Sequence, residues 1–155
     1  MRLKNHLDPG LTFVNLQATD KSTLLRLLTD KAAEHVPGTD SVDLLRRLEE
    51  RESTASTGIG NGVAIPHTTI MGLEKTICLL AQIPAGVEFD SIDGRPVYFV
   101  FMLLSPAEAV WTHLRHLARI SRIASSDDFI RDVVAAPDPK AVVELVVRED
   151  GKHVD

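Results

Sequence analysis

Two kinds of hydrophobic pattern alternate along the chain. Residues 76–83 (Thr-Ile-Cys-Leu-Leu-Ala-Gln-Ile) and 97–104 (Val-Tyr-Phe-Val-Phe-Met-Leu-Leu) are near-continuous apolar runs separated by the turn Ser91-Ile92-Asp93-Gly94-Arg95-Pro96. Runs of this kind suit strands covered on both faces. Around them the spacing becomes helical. Leu24, Leu25, Leu28 and Ala32 predict a helix over 21–35, capped by Asp20 and stopped by Pro37-Gly38. Asp40 caps a second helix to about Glu52, with Val42, Leu45 and Leu48 on one face. Val110, Leu114, Leu117, Ser121 and Ala124 predict the core stripe of a helix over 107–124, with Pro106 at its start. Ser125 caps a short helix beginning near Asp127. Asp138-Pro139 opens a last helix to about Val147, although Val142, Val143, Val146 and Val147 also suit a strand. Residues 11–17 read as extended, and 63–65 as a short strand that Pro66 ends or places at an edge. Helices interleaved with buried strands predict a layered α/β domain.

At 155 residues the chain fits a single domain, which buries roughly 70% of its unfolded surface on folding. The net charge of −5 argues against nucleic acid, which requires a basic face. No apolar run approaches the ~20 residues of a membrane span, so no membrane insertion is expected. The basic start Met1-Arg2-Leu3-Lys4 lacks the apolar stretch of a signal peptide. Cys78 is the single cysteine, which excludes an internal disulfide and suggests a reducing, cytoplasmic setting.

The candidate chemistry sits in residues 56–67, Ser-Thr-Gly-Ile-Gly-Asn-Gly-Val-Ala-Ile-Pro-His. Gly58, Gly60 and Gly62 alternate, and successive exposed amides in such a loop can form an anion-binding concavity. Ser56, Thr57 and Asn61 add polar side chains. The loop follows a helix and precedes a strand, the reverse of a dinucleotide fingerprint, and no P-loop motif is present. By pattern alone it is equally a ligand-free connection. Alone, His67 is an ordinary loop histidine; beside a phosphate-binding loop it becomes a neutral nucleophile for phosphoryl transfer. Arg51-Glu52 precedes the loop, either as a solvated helix end or with Arg51 folded back onto a phosphorylated His67. The run from Glu49 to Glu52 otherwise reads as a solvated face. His113 and His116 share a helix face, but no third ligand of suitable spacing accompanies them, so no metal is expected. His116 reads as a surface or boundary residue, whereas His113 can reach inward as a second imidazole. Cys78 reads as a small core residue, and Trp111 and Phe129 as packing or interface anchors.

Arg51-Glu52 and residues 56–67 together resemble the signature of the enzyme IIA family of the fructose–mannitol and nitrogen-regulatory type, from the bacterial phosphoenolpyruvate-dependent sugar phosphotransferase system. Asp93-Gly94-Arg95-Pro96-Val97, leading into Phe101-Met102-Leu103-Leu104-Ser105-Pro106, is similar to a second block, and Thr112 to Ala118 to a third. The resemblance implies one type 2 enzyme IIA domain over 1–155, with its core at about 8–148 and a mixed β-sheet flanked by helices. It implies that His67 accepts a phosphoryl group on Nε2 from the carrier HPr or a paralogue. Arg51 would bind the phosphate and His113 would be the second active-site histidine. The phosphoryl group would pass to a separate IIB protein, or its presence would control binding to a regulatory target. No cofactor or metal is implied. Relatives often carry an acidic residue or histidine where Asn61 stands, and glycine followed by a basic or polar residue where Thr68-Thr69 stand.

Overall fold

The computed structural model describes residues 2–153. Two short 3-10 turns, Leu3–His6 and Pro9–Leu11, lead into strand β1 (Thr12–Phe13). Helices α1 (Lys21–His35) and α2 (Ser41–Thr54) follow, then β2 (Gly58–Gly60), β3 (Val63–Ala64) and β4 (His67–Ile70). The long strands β5 (Ile77–Val87) and β6 (Val97–Pro106) precede α3 (Val110–Ile123), α4 (Asp127–Val134) and α5 (Pro139–Gly151). The strands form one mixed sheet in the order β1-β5-β6-β3-β2, with β4 also on β6.

Strand β6 organises the molecule. Its side chains alternate between the two sheet faces with the two-residue period of a strand. Val100, Met102 and Leu104 join the cluster under α1 and α2, with Leu24, Leu28, Leu44 and Leu48. Phe99, Phe101 and Leu103 join the cluster under α3, α4 and α5, with Ile120, Ile123, Phe129, Val142 and Val146. The result is a three-layer α/β/α sandwich, as the pattern of covered strands predicts. The packed body reaches past 8–148, because Leu3 and Asp150 are both buried.

The helix caps fall where expected at three starts. Asp20 accepts from the Thr23 amide, Asp40 from Val42 and Asp43, and Asp138 from Ala141. The valine-rich end of the chain is therefore helical. The cap of α4 is Ser126, one residue beyond the expected Ser125. Residues 11–17 yield only the two-residue β1, paired in parallel with Leu80 and Ala81. On α2 the buried stripe is Leu44 and Leu48, while Val42 is exposed.

Two expectations are corrected in ways that matter for the site. Pro106 ends β6 instead of opening a helix, and α3 starts at Val110. The buried face of α3 is His113, His116, Arg119, Ile120 and Ile123, while Val110 and Leu114 of the expected stripe are half exposed. Polar partners on neighbouring elements explain the rotation. Ser105 meets His113, the His6 ring meets His116, and Asp150 meets Arg119.

Candidate functional site

The expected glycine loop is a β-hairpin. Strands β2 and β3 pair antiparallel, with Gly58 opposite Ala64 and Gly60 opposite Val63. Gly60, Asn61 and Gly62 make the turn with φ of 93°, 57° and 80°, a left-handed run that glycine adopts without strain. Asn61 is held there by the Asp93 carboxylate on its amide at 3.0 Å and by its own side chain donating to the Ala124 carbonyl at 2.9 Å. At Gly58 the reason for glycine is close approach, since a Cβ would lie 2.6 Å from Ser91 Oγ.

The hairpin delivers His67. Strand β3 pairs with Phe99 and Val100 of β6, and β4 continues along the same edge from His67 opposite Leu103 to Ile70 opposite Pro106. His67 is therefore the first residue of a strand, with the Pro66 peptide interrupting the edge. The imidazole Nδ1–H donates to the Ile65 carbonyl at 2.7 Å. A carbonyl only accepts, so this bond fixes the proton on Nδ1 and leaves Nε2 with its lone pair free. Arg51, at the end of α2, donates from Nε to that Nε2 at 3.3 Å and from Nη1 to the Ala55 carbonyl at 2.9 Å. Burial holds the His67 pKa below the ordinary imidazole value, and the Arg51 charge adds to this; the Ile65 carbonyl and Glu52 act in the opposite direction. His67 is neutral at neutral pH, with an in-plane lone pair directed at a guanidinium.

Across from it, His113 rises from the first turn of α3, and the two rings stand 5.3 Å apart at 52°. Its Nδ1 is 2.7 Å from Ser105 Oγ. Ser105 continues the α3-facing register of Phe99, Phe101 and Leu103 by two residues, so β6 itself orients this imidazole. Burial, with His67 adding to it, pushes the His113 pKa down to about 4. Arg51, His67 and His113, which the sequence singled out, thus meet at one end of the sheet.

The other loop residues are placed differently. Thr57 donates its amide to Glu52 at 2.9 Å and its hydroxyl to the same carboxylate. Ser56 donates its hydroxyl to the Phe89 carbonyl at 2.8 Å and accepts the Gly58 amide at 3.1 Å. Gly60, Asn61 and Gly62 stand at the far tip, beyond residues whose partners on β6 lie four positions from that of His67, about 13 Å along a strand. The expected cradle of loop amides is not assembled around His67, because the Thr57, Gly58 and Asn61 amides go to Glu52, Ser56 and Asp93 and the hairpin tip stands away from the imidazole.

Sequence reasoning missed two contributors. Glu52, expected on a solvated face, is 6% exposed in its side chain and pairs with Lys21 Nζ at 2.8 Å. Its signal was its spacing, since it falls four residues after Leu48 and eight after Leu44, on the buried stripe of α2. Ser105 was signalled by the two-residue period of β6. Among the described residues no group of three or more His, Cys, Asp or Glu could hold a metal ion. No helix there is long and apolar enough to cross a membrane. Cys78 is buried as expected, and burial pushes its thiol up to about 12.

Residues 5–148 match the family model described as phosphoenolpyruvate-dependent sugar phosphotransferase system, EIIA 2. The chain is 34% identical over 147 residues to a nitrogen regulatory protein of Pseudomonas aeruginosa, covering 95% of this chain and 96% of that one. It is 37% identical over 146 residues to a nitrogen regulatory protein of Bradyrhizobium diazoefficiens, with 94% and 95% covered. A fructose-specific EIIA component of Haloferax volcanii is 32% identical over 129 residues, 83% of each chain. Among solved structures, nitrogen regulatory protein IIA-Ntr of Neisseria meningitidis superposes with a TM-score of 0.83 at 24% identity, over 93% of this chain and 98% of that one. IIA mannitol of Escherichia coli does so with a TM-score of 0.75 at 19% identity, over 90% and 98%.

Proposed function

The chain belongs to the EIIA type 2 family of the phosphoenolpyruvate-dependent phosphotransferase system, and from that premise we propose that His67 carries a phosphoryl group on Nε2. The observation that carries this reading is the locked tautomer: Nδ1–H on the Ile65 carbonyl and an Nε2 lone pair facing Arg51. In the transfer, the N–P bond of a phosphohistidine on an HPr-like carrier breaks as an Nε2–P bond forms. The electron pair of the broken bond stays on the carrier's ring nitrogen. Proton movement is not required at His67, because its proton already sits on the other nitrogen. Arg51 occupies the space that phosphorus must take, so its guanidinium turns onto the phosphoryl oxygens, where a planar fork of donors suits them. His113, kept neutral by burial, donates to the same oxygens as charge develops on them.

A protein donor needs a surface to dock on. Trp111 is 79% exposed and Met71 82% exposed, and Val110 and Leu114 are half exposed. Trp111, Val110 and Leu114 flank His113 on α3, and Met71 follows the last residue of β4. Apolar side chains exposed together in this way fit a protein partner. The phosphoryl group then passes to a separate IIB protein, or it stays and switches affinity for a regulatory target. An Escherichia coli mannitol IIA, related in fold, forms a complex with phosphorylated IIB. The regulatory output is favoured by the two nitrogen regulatory proteins that this chain matches over almost their whole length. Both outputs place the protein in the cytoplasm.

Incubation with phosphoenolpyruvate, enzyme I and HPr, followed by intact-mass analysis, tests the acceptor. One added phosphoryl group, labile to acid and stable to alkali, is expected. An adduct that survives brief acid treatment would lie on an oxygen and overturn the assignment.

A further inference from the structure

We propose that Glu52 is the positioning residue for His67, acting through the Thr57 and Ile65 backbone to fix which imidazole nitrogen is protonated and where the other points. The inference rests on the reading of His67 as the phosphoryl acceptor.

The connection is a single file of hydrogen bonds. Lys21 on α1 pairs with Glu52 Oε2 at 2.8 Å. Glu52 receives both the amide and the hydroxyl of Thr57. The Thr57 carbonyl accepts the Ile65 amide at 2.9 Å, and the Ile65 carbonyl accepts Nδ1–H of His67 at 2.7 Å. Ile65 is thus held by Thr57 through its amide and holds His67 through its carbonyl. Thr57 is itself 3% exposed, and Glu52 holds both its hydrogen-bond donors.

Placing a carboxylate on the apolar stripe of α2 is costly unless it is paired and hydrogen-bonded. A leucine continuing Leu44 and Leu48 would pack there without that penalty. The carboxylate instead collects three donors, and two of them belong to Thr57, on the segment that ends at His67. The acceptor nitrogen of an imidazole is set by the bond that the other nitrogen makes. An Nε2–H tautomer has no lone pair in the ring plane at Nε2 and cannot attack phosphorus there. Lys21 has a second part in this arrangement. Its ammonium also lies 4.6 Å from the centre of the Phe89 ring, and it offsets the Glu52 charge near the place where an anionic phosphoryl group must sit.

The test is nitrogen-15 NMR of the histidine side chains in the full chain, comparing wild type, Glu52→Gln, Thr57→Val and Glu50→Gln. The carboxamide offers one acceptor oxygen where three donors converge, so it cannot serve them all. Wild type should show His67 with Nδ1 protonated and Nε2 bare. In Glu52→Gln the two nitrogen shifts should converge as both tautomers populate. Its His67 titration should also move to lower pH, since a carboxylate that favours the cation is gone. Thr57→Val should move the shifts in the same direction by less. Glu50→Gln, exposed on the same helix, should leave them at wild-type values. Transfer from phosphorylated HPr should fall ~10-fold or more in Glu52→Gln, the scale seen when the partners that orient metal-binding histidines are removed. A folded Glu52→Gln with wild-type His67 shifts overturns the proposal. If Glu52→Gln does not fold, wild-type shifts in Thr57→Val overturn it equally. The tautomer is read without any phosphoryl donor, so it stands apart from whether His67 is phosphorylated.

Discussion

His113 and His116 stand one turn apart on α3 and both face inward, yet their surroundings have almost nothing in common. His113 meets Ser105 Oγ and the His67 ring at one end of the sheet. His116 is 0% exposed, packs edge-on against the His6 ring at 4.7 Å, and neither of its nitrogens has a hydrogen-bond partner among the described residues. Burial pushes both pKa values down to about 4. A shared pKa therefore does not imply a shared role. His113 is neutral beside the His67 ring and on the same helix as the exposed Val110, Trp111 and Leu114. His116 is neutral because it is sealed under the amino-terminal turn with nothing to support a charge. The arginines repeat the contrast. Arg51 holds one carbonyl and the acceptor nitrogen, whereas Arg119 is buried against the Asp150 carboxylate and also donates to the Asp150 and His153 carbonyls.

The comparison breaks if substitutions at the two ends of this line of residues have similar effects. His67→Ala is expected to abolish phosphorylation with little change in thermal midpoint, because a partly buried imidazole at a sheet edge belongs to neither hydrophobic core cluster. Mass analysis beside a melting curve reads both. Arg51→Ala should slow single-turnover transfer from phosphorylated HPr by about 10²-fold, the scale of losing one preorganised donor. Arg51→Lys should be impaired by less, since an ammonium cannot present two parallel donors. His113→Ala should slow the same step by about tenfold or more and shorten the phosphohistidine lifetime, while leaving the acceptor in place.

The smallest expected effect on transfer is at His116, where it is none, and there stability carries the contrast. His113 and His116 take up protons more readily in the unfolded chain than in the folded one. Between about pH 6.5 and pH 4 the unfolded state therefore binds more protons, and stability falls as pH falls through that window. Above it the neutral rings make no such demand. His116→Leu should flatten this acid loss while transfer at neutral pH stays at the wild-type rate. Melting curves across the window check the first, and single-turnover rates the second.

The sequence was most legible where one local pattern decided the outcome. The runs that became β5 and β6 and the aspartate caps of α1, α2 and α5 were visible in it, whereas the meeting of Arg51, His67 and His113 was implied by the family resemblance. It was least legible where a buried polar residue has a partner distant in sequence. Counting apolar positions on α3 selected Val110 and Leu114, whereas its packed face carries two histidines and an arginine whose partners come from β6 and both ends of the chain. The glycine hairpin misled for a related reason. Alternating glycines signal unusual backbone but do not reveal that Asp93, Glu52 and Ser56 take up the amides.

The most direct test of the central claim is NMR of the phosphorylated, nitrogen-15-labelled protein, which shows the nitrogen that carries phosphorus. The structure predicts phosphorus on Nε2 of His67, with Nδ1 of the same ring still protonated on the Ile65 carbonyl. Phosphorus on Nδ1, on His113, or on no histidine at all would contradict it.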